Sequence, residues 1–320
     1  MSGPSLVSIA VLDDYQNVAL DLADWSPLKD RANITVFSDH LSDEQQVLER
    51  LRPFDVLCVM RERTPLTRKI IAQLPNLKLI ASTGPVNASI DTEAASEHGI
   101  EVVHTGYSST PTIEFTWAMI LAMARHIPAE NRSLRDGGWQ RELGTQLAGK
   151  TLGLLGLGHI GSAVGVIARA FRMEVIAWSQ NLTAERAESK GVKLVDKDTL
   201  FSTSDFLSIH LRLSERTRGL VGTAELARMK PTSRIINTSR GPIIDVPALV
   251  AALKSDRIAG AAIDVYDTEP LDLADPLRSI DNVLATPHIG YVTREMYETF
   301  YGDTVRNIIA WLDRTQKAPR

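Results

Sequence analysis

A glycine-rich turn between a strand and a helix constrains this chain more than any other feature. An apolar run beginning at Thr151 leads straight into the pattern Gly-x-Gly-x-x-Gly and then into a helical segment. The first glycine permits a tight turn, the second lets the backbone approach a pyrophosphate, and the third allows the helix to pack closely on the strand. Backbone N–H groups at the start of the helix attract phosphate. The pattern predicts a dinucleotide site formed by Gly156, Gly158, His159, Ile160 and Gly161.

The residue expected at the adenosine ribose departs from the usual pattern. An acidic residue about 20 positions beyond the glycine loop normally accepts hydrogen bonds from the ribose hydroxyls. Here the predicted strand 174–178 ends in Ser179, which two amide side chains follow. A 2′-phosphate would meet no negative charge there, yet neither of the next two residues is an arginine that would bind it. The cofactor is therefore NAD or NADP, with Ser179 in place of the ribose-binding acid.

Short apolar runs along the chain indicate two parallel sheets. Five runs alternate with helical segments in the first hundred residues: 7–12, 34–37, 56–60, 77–81 and 100–103. Six more follow: 151–155, 174–178, 205–209, 234–237, 259–263 and 283–285. Strands that alternate with helices are typical of parallel α/β sheets. The sequence predicts an α/β fold with two doubly wound parallel-sheet domains.

Charge and composition disfavour several classes of function. The net charge of −4 is small, and the basic residues do not form the stripe that nucleic-acid binding needs. The most apolar stretch, 117–124, is too short to cross a bilayer, and the N-terminus lacks the pattern of a secretion signal. A single cysteine, Cys58, and seven scattered histidines favour neither a disulfide nor a zinc site. We expect a cytoplasmic protein without nucleic-acid, membrane or metal partners.

One segment suggests an assembly. Apolar residues in 111–126 cover nearly the whole circumference of a predicted helix, so this helix must be buried on more than one side. The cover could come from the same chain or from a second subunit. We expect a homodimer.

Three residues just beyond predicted strands suit the reduction of a 2-keto acid. Arg240 follows the strand 234–237, and a guanidinium can bind a carboxylate while it polarises the adjacent carbonyl. Glu269 and His288 follow the next two strands. A carboxylate near an imidazole favours the protonated ring, which can then donate a proton. The ligand-binding edge of such sheets is the carboxyl end of the strands.

Four motifs in this order resemble the D-isomer-specific 2-hydroxyacid dehydrogenase family, in particular its glyoxylate and hydroxypyruvate reductases. They are the glycine loop, MKPTSRIINTSRG at 229–241, DVYDTEP at 264–270 and TPHIG at 286–290. The resemblance implies a Rossmann NAD(P)-binding domain, 106–287, inserted into a smaller flavodoxin-like substrate domain, 1–105 and 288–320. It also implies hydride transfer between NAD(P)H and a small 2-keto acid to give the D-2-hydroxy acid.

The resemblance assigns roles to individual residues. Arg240 would bind and polarise the substrate, His288 would handle the proton, and Glu269 would pair with His288. Thr238 and Asp264 would lie near the nicotinamide carboxamide. A loop in the first domain would bind the substrate carboxylate through backbone amides, here at Thr83, Gly84, Pro85 and Val86.

Other functions stay open on this sequence. A dehydrogenase-like corepressor or nucleotide sensor would keep the fold without significant turnover. A formate dehydrogenase is set aside, because a glutamine usually stands where Glu269 is. A phosphorylated substrate would call for additional basic residues at the substrate site. Arg61 and Arg63 follow the predicted strand 56–60, where they either face the substrate or are solvated residues at a strand end. We expect a glyoxylate- or hydroxypyruvate-like substrate.

Overall fold

The chain divides into two compact units in a computed structural model that describes residues 6–317. One unit contains the described residues up to Ser108 and from Val292 onwards, and the other contains Ser109–Tyr291. The boundaries predicted from the sequence lie after residues 105 and 287, slightly earlier in the chain. The first five and last three residues of the predicted substrate domain lie outside the described residues.

Twelve described strands form two sheets. The strands of the first sheet are β1 (Val7–Val11), β2 (Ala32–Val36), β3 (Val56–Val59), β4 (Leu79–Ser82) and β5 (Glu101–His104). Those of the second sheet are β6 (Thr151–Leu155), β7 (Glu174–Trp178), β8 (Lys193–Leu194), β9 (Phe206–Ile209), β10 (Arg234–Asn237), β11 (Gly260–Ile263) and β12 (Val283–Ala285). Every pairing between them is parallel. The predicted α/β fold with two parallel-sheet domains is confirmed.

Eleven α-helices accompany these strands in the described chain. They are α1 (Glu44–Leu51), α2 (Arg68–Ile71), α3 (Thr92–Glu97), α4 (Thr110–Ala124), α5 (Ile127–Arg135), α6 (His159–Ala170), α7 (Ala184–Glu188), α8 (Lys197–Thr203), α9 (Thr223–Arg228), α10 (Val246–Lys254) and α11 (Arg294–Lys317). The side chains of Asp43, Thr67 and Asp91 accept hydrogen bonds from the first turns of α1, α2 and α3. Such residues stabilise a helix start because the first N–H groups lack partners within the helix.

The first unit has the flavodoxin-like strand order β2-β1-β3-β4-β5. All residues of β3 and β4 are buried, as expected of central parallel strands with helices on both faces. Helix α11 returns to this unit and packs on β4 and β5. This return explains how residues from both ends of the chain form one compact unit.

The second unit has the order β12-β11-β10-β9-β6-β7-β8. This is the strand order of a Rossmann sheet. The sheet has seven strands, one more than the six that the sequence predicted. The unpredicted strand is β8, which contains only two residues and therefore cannot show an alternating pattern. Helix α4 packs on α6, β10 and β11 of the same unit, which buries Trp117 and Ile120.

Cys58 lies in β3 and is buried. Burial raises the pKa of its thiol to about 12, so the nucleophilic thiolate is suppressed. Within residues 6–317 no helix has both the length and the apolar character needed to cross a membrane. The same residues contain no group of three His, Cys, Asp or Glu side chains placed to hold a metal ion.

Candidate active site

The glycine loop lies between β6 and α6, at the carboxyl edge of the second sheet. Gly156 has a φ of +106°, which L side chains rarely adopt. A Cβ at Gly161 would collide with the carbonyl oxygen of Gly156. A Cβ at Gly158, in contrast, would meet no protein atom within 4 Å. The space beside Gly158 is open, and His159 and Ile160 begin α6 there, so the loop fits the pyrophosphate of a dinucleotide.

Ser179 follows β7 and borders an open cavity of about 650 Å³. Lys193 from β8 and Asp196 at the start of α8 line the same cavity. Hydrogen bonds from the backbone and the hydroxyl of Thr199 hold the pKa of Asp196 below its usual value, so this carboxylate is charged. The sequence did not predict β8, so it gave no reason to place Lys193 at this site. The cation of Lys193 and the anion of Asp196 therefore lie near Ser179, the position whose residue normally determines whether NAD or NADP is preferred.

His288 and Glu269 are in direct contact, with 2.6 Å between Nδ1 and Oε2. Glu269 also accepts a hydrogen bond at Oε1 from the backbone N–H of Tyr266, at 2.9 Å. Burial acts to raise the pKa of Glu269, but the bonds from His288 and Tyr266 outweigh it and hold this pKa below its ordinary value of 4.5. An ionised carboxylate only accepts, so Nδ1 carries a proton. The Nε2 atom has no hydrogen bond among the described residues and can exchange a proton with a ligand.

Asp264 holds the loop that carries His288. Its carboxylate is 1% exposed and accepts three hydrogen bonds: from the Thr286 hydroxyl at 2.7 Å, and from the backbone N–H groups of Ile289 and Gly290 at 2.9 Å each. His288 itself has a φ of +52°, an unfavourable value for a residue other than glycine. The bonds to Asp264 on both sides of His288 stabilise this conformation. Burial raises the pKa of Asp264, although the three donors and His288 oppose the shift.

Arg240 lies in a turn that Asn237 fixes. Asn237 is 1% exposed; its Oδ1 accepts from the N–H two residues later, and its Nδ2 donates to the carbonyl of Arg240 at 3.0 Å. The next residue is Gly241, where a Cβ would clash with the backbone of Tyr266. Only glycine therefore allows this turn to pack against the segment that carries Glu269. The charge of Arg240 contributes to the lowered pKa of Glu269, so the two groups interact.

Thr238 directly follows β10, and its hydroxyl lies 2.9 Å from that of Thr116 in α4. Thr116 is fully buried and was not among the predicted site residues. A threonine within an apolar helix gives no sequence signal that separates it from an ordinary core position.

The loop Thr83–Val86 follows β4 in the first unit. The Thr83 N–H donates to a carbonyl at the end of β3, and the Gly84 N–H donates to Thr105 Oγ1 at 2.7 Å. Pro85 has no N–H. Within the part of the chain that the structure describes, the N–H of Val86 has no hydrogen bond, and this side chain is 69% exposed. The loop therefore offers a carboxylate one unengaged backbone N–H.

Arg61 brings a positive charge to this loop. Its Nη1 donates to the carbonyl of Thr83 at 3.1 Å, and its guanidinium lies 5.3 Å from the centre of the Tyr107 ring. A side chain at Gly84, which has a φ of +81°, would overlap this guanidinium. Residue 84 must therefore be glycine for the Arg61 guanidinium to lie against the loop.

Comparison with known proteins identifies the second unit. Residues 117–290 match the family described as D-isomer specific 2-hydroxyacid dehydrogenase, NAD binding domain. The match covers more than half of the chain and lies within the Ser109–Tyr291 unit. This unit is therefore an NAD-binding domain.

Individual relatives extend the similarity to the rest of the chain. D-3-phosphoglycerate dehydrogenase of Synechocystis sp. is 39% identical over 294 residues, 91% of this chain and 51% of that protein. This chain spans about half the length of the D-3-phosphoglycerate dehydrogenases it matches. Hydroxypyruvate reductase of Thermotoga maritima is 39% identical over 286 residues, 88% of this chain and 92% of that protein.

A solved structure agrees with these relatives. Phosphoglycerate oxidoreductase from Vibrio cholerae superimposes with a TM-score of 0.91 at 38% identity, covering 97% of this chain and 100% of that one. The resemblance inferred from the four motifs is confirmed: the chain belongs to the D-isomer-specific 2-hydroxyacid dehydrogenase family.

Proposed function

We propose that this protein is an NAD(P)-dependent dehydrogenase that interconverts a small 2-keto acid and the D-2-hydroxy acid. The observation that carries the proposal is the 2.6 Å contact between His288 Nδ1 and Glu269 Oε2, in the unit that contains the glycine loop. Relatives named hydroxypyruvate reductase and glyoxylate reductase support a small keto acid as substrate. When bound, the dinucleotide would supply or accept the hydride. The protein must transfer the proton and bind the substrate carboxylate.

The proton passes through His288. Glu269 holds the ring by Nδ1, which leaves Nε2 to donate a proton to the substrate carbonyl oxygen during reduction. In the oxidative direction the same nitrogen accepts the hydroxyl proton. The ionised carboxylate of Glu269 fixes the orientation of the ring, because it accepts the proton on Nδ1.

Arg240 binds the substrate. Its planar guanidinium can form two parallel hydrogen bonds to a carboxylate and draw electron density from the adjacent carbonyl. The fixed turn at Asn237 and the close packing of Gly241 support this role, because both limit the movement of the Arg240 backbone.

The first unit acts as the substrate domain in this proposal, and the second as the nucleotide domain. The loop Thr83–Val86 contributes to carboxylate binding through the N–H of Val86. Arg61 adds the charge that the loop amides do not supply, because two of them are engaged and Pro85 has none.

Both NAD and NADP are accepted in this proposal. Ser179 replaces the acid that would repel a 2′-phosphate, and Lys193 borders the same cavity. The negative charge of Asp196 opposes binding of the 2′-phosphate, so we expect only a modest preference between NAD and NADP.

We further propose that the protein is a homodimer. Helix α4 is largely covered by its own unit, so the support comes from exposed apolar side chains on α5 and in the segment after it. They are Ile127, Leu134, Trp139 and Leu143, with exposures of 54% to 95%. A second copy of the chain would bury them. Light scattering after size exclusion tests this, and a monomer at micromolar concentration would contradict it.

A cytoplasmic location also belongs to the proposal. The one cysteine cannot form an internal disulfide, which is consistent with a reducing compartment.

The direct test is a substrate screen. Initial reduction rates are measured for glyoxylate, hydroxypyruvate, pyruvate, phenylpyruvate and 2-ketoisocaproate, each with NADH and NADPH, and the product configuration is determined by chiral chromatography. We expect turnover of at least one acid to the D-product. Binding of dinucleotide without turnover of any of them would contradict the proposed activity.

A further inference from the structure

Two threonine hydroxyls connect helix α4 to the end of β10. Thr116 Oγ1 donates to the backbone carbonyl of Thr112, one turn earlier in α4, at 2.8 Å. The same oxygen lies 2.9 Å from Thr238 Oγ1. A hydroxyl carries one proton, and a carbonyl can only accept. Because the proton of Thr116 goes to Thr112, the proton in the second bond must come from Thr238.

The surroundings of Thr116 favour this direction. Thr116 is 0% exposed, so solvent cannot compete for its proton, and α4 packs directly on β10 and β11. Buried hydroxyls are nearly always hydrogen-bonded. Thr238 is partly exposed at the sheet edge. It therefore presents lone pairs to a ligand, with its own proton turned inward.

The strand order places Thr238 on the path of a dinucleotide. The glycine loop follows β6, and His288 follows β12, with β9, β10 and β11 between them. Adjacent strands lie about 4.8 Å apart. If the phosphates lie at Gly158, a nicotinamide ring that transfers hydride beside His288 must pass the ends of β9 and β10. Thr238 lies at the end of β10, next to Asp264 at the end of β11.

A nicotinamide ring carries a carboxamide with N–H donors on one side and a carbonyl acceptor on the other. Asp264, the neighbouring acceptor, already receives three hydrogen bonds from its own loop, and a carboxylate accepts about four. The Thr238 oxygen is thus an additional acceptor that faces the same region.

We propose that Thr116 is a positioning residue, which holds the Thr238 proton and leaves Thr238 able only to accept a hydrogen bond from a ligand. The donor would be the carboxamide NH2 of a bound nicotinamide. Thr116 thereby selects the orientation of the nicotinamide ring. The inference rests on the proposed dinucleotide site and adds to it a residue in α4. A ring bound with its carboxamide reversed would set a carbonyl oxygen against the Thr238 lone pairs. The hydroxyl pair therefore disfavours the reversed orientation.

The test compares binding of NADH with binding of reduced 3-acetylpyridine adenine dinucleotide, in which a methyl group replaces the NH2. The wild-type protein should bind NADH roughly three- to tenfold more tightly, the range of one neutral hydrogen bond. Thr116→Val frees the Thr238 proton, so Thr238 can donate to the ketone. The ratio of the two dissociation constants, analogue over NADH, should then fall toward one because the analogue gains affinity. Thr238→Val should also lower the ratio, but through weaker binding of NADH.

Two further variants separate positioning from general loosening. Thr116→Ser keeps a hydroxyl and should restore the wild-type ratio. Thr304→Val removes another buried helix hydroxyl, 1% exposed and without a hydrogen-bond partner among residues 6–317, and should leave the ratio unchanged. If Thr116→Val does not fold, Thr116→Ala removes the same hydroxyl with less side-chain volume.

The outcomes are distinct. A fall in the ratio from better analogue binding supports the inference. An unchanged ratio in Thr116→Val, or an equal loss of affinity for both ligands, overturns the role of Thr116 and leaves the dehydrogenase proposal intact. Failure of the wild-type protein to bind either dinucleotide overturns the proposed function and this inference together.

Discussion

Asp264 Oδ2 accepts a hydrogen bond from the backbone N–H of Gly290 at 2.9 Å, and Oδ1 of the same carboxylate accepts one from Ile289. These bonds begin immediately after His288, whose φ is +52°. The buried carboxylate therefore acts on the candidate proton donor through the backbone of its loop.

Asp264→Asn should destabilise the second unit. The amide keeps one accepting oxygen and places an NH2 group against a backbone donor, so the free energy of unfolding should fall by about 1–3 kcal/mol. Urea unfolding measures this change. Asp281→Asn, at an exposed carboxylate of the same unit, is the matched control and should change stability little. Equal stability of the two variants would contradict the role given to Asp264.

Gly241→Ala should lower activity through sterics. The new Cβ would lie 2.6 Å from the Cα of Tyr266, so the turn that carries Arg240 must move away from the Glu269 segment. A misplacement of about 1 Å can cost roughly 100-fold in rate. We expect kcat/KM for the best keto acid to fall by about this factor. Gly222→Ala is the control, because its Cβ would stand at an ordinary distance of 3.6 Å from its nearest neighbour. Similar kinetics in both variants would refute the steric argument.

Glu269→Gln should change how stability depends on pH. The pKa of Glu269 is lowered in the folded protein, so its contribution to stability is fully present above its unfolded pKa and is lost as the pH falls through the folded pKa. The difference in unfolding free energy between wild type and Glu269→Gln should therefore be largest near about pH 7 and shrink below about pH 4.5. A constant difference across this range would contradict the lowered pKa.

Ser179→Asp should shift cofactor preference toward NADH. The added carboxylate can accept hydrogen bonds from the ribose hydroxyls and repels a 2′-phosphate, so the preference should change by roughly tenfold or more. Lys193→Ala should weaken NADPH binding while NADH binding is retained, and Lys190→Ala, outside the cavity lining, serves as its control. Unchanged ratios of the dissociation constants would show that this cavity does not contact the 2′ position.

Much of the fold and site follows from short-range patterns in the sequence. The glycine loop is contiguous, and the motifs with Arg240, Glu269 and His288 each follow a run of apolar residues long enough to predict a strand. In a parallel sheet the carboxyl ends of strands lie on one edge, so these residues could be expected near one another.

The parts that escaped prediction depend on contacts between distant segments. Strand β8 has two residues, and only its pairing with β7 brings Lys193 to the cavity beside Ser179. The bond between Thr116 and Thr238 joins residues 122 positions apart. The engagement of the Gly84 N–H by Thr105 likewise has no local signal. Hydrogen-bond partners of this kind are set by packing, which residue type and spacing alone do not specify.

The most direct test of the account is the turnover of His288→Gln, measured together with its affinity for NADH. In the proposed mechanism the ring of His288 acts on the substrate proton and not on the dinucleotide. We therefore expect kcat for keto-acid reduction to fall by roughly 100-fold or more while the dissociation constant for NADH changes less than about twofold. A variant that reduces the keto acid at the wild-type rate would contradict the assignment of His288 as the proton donor.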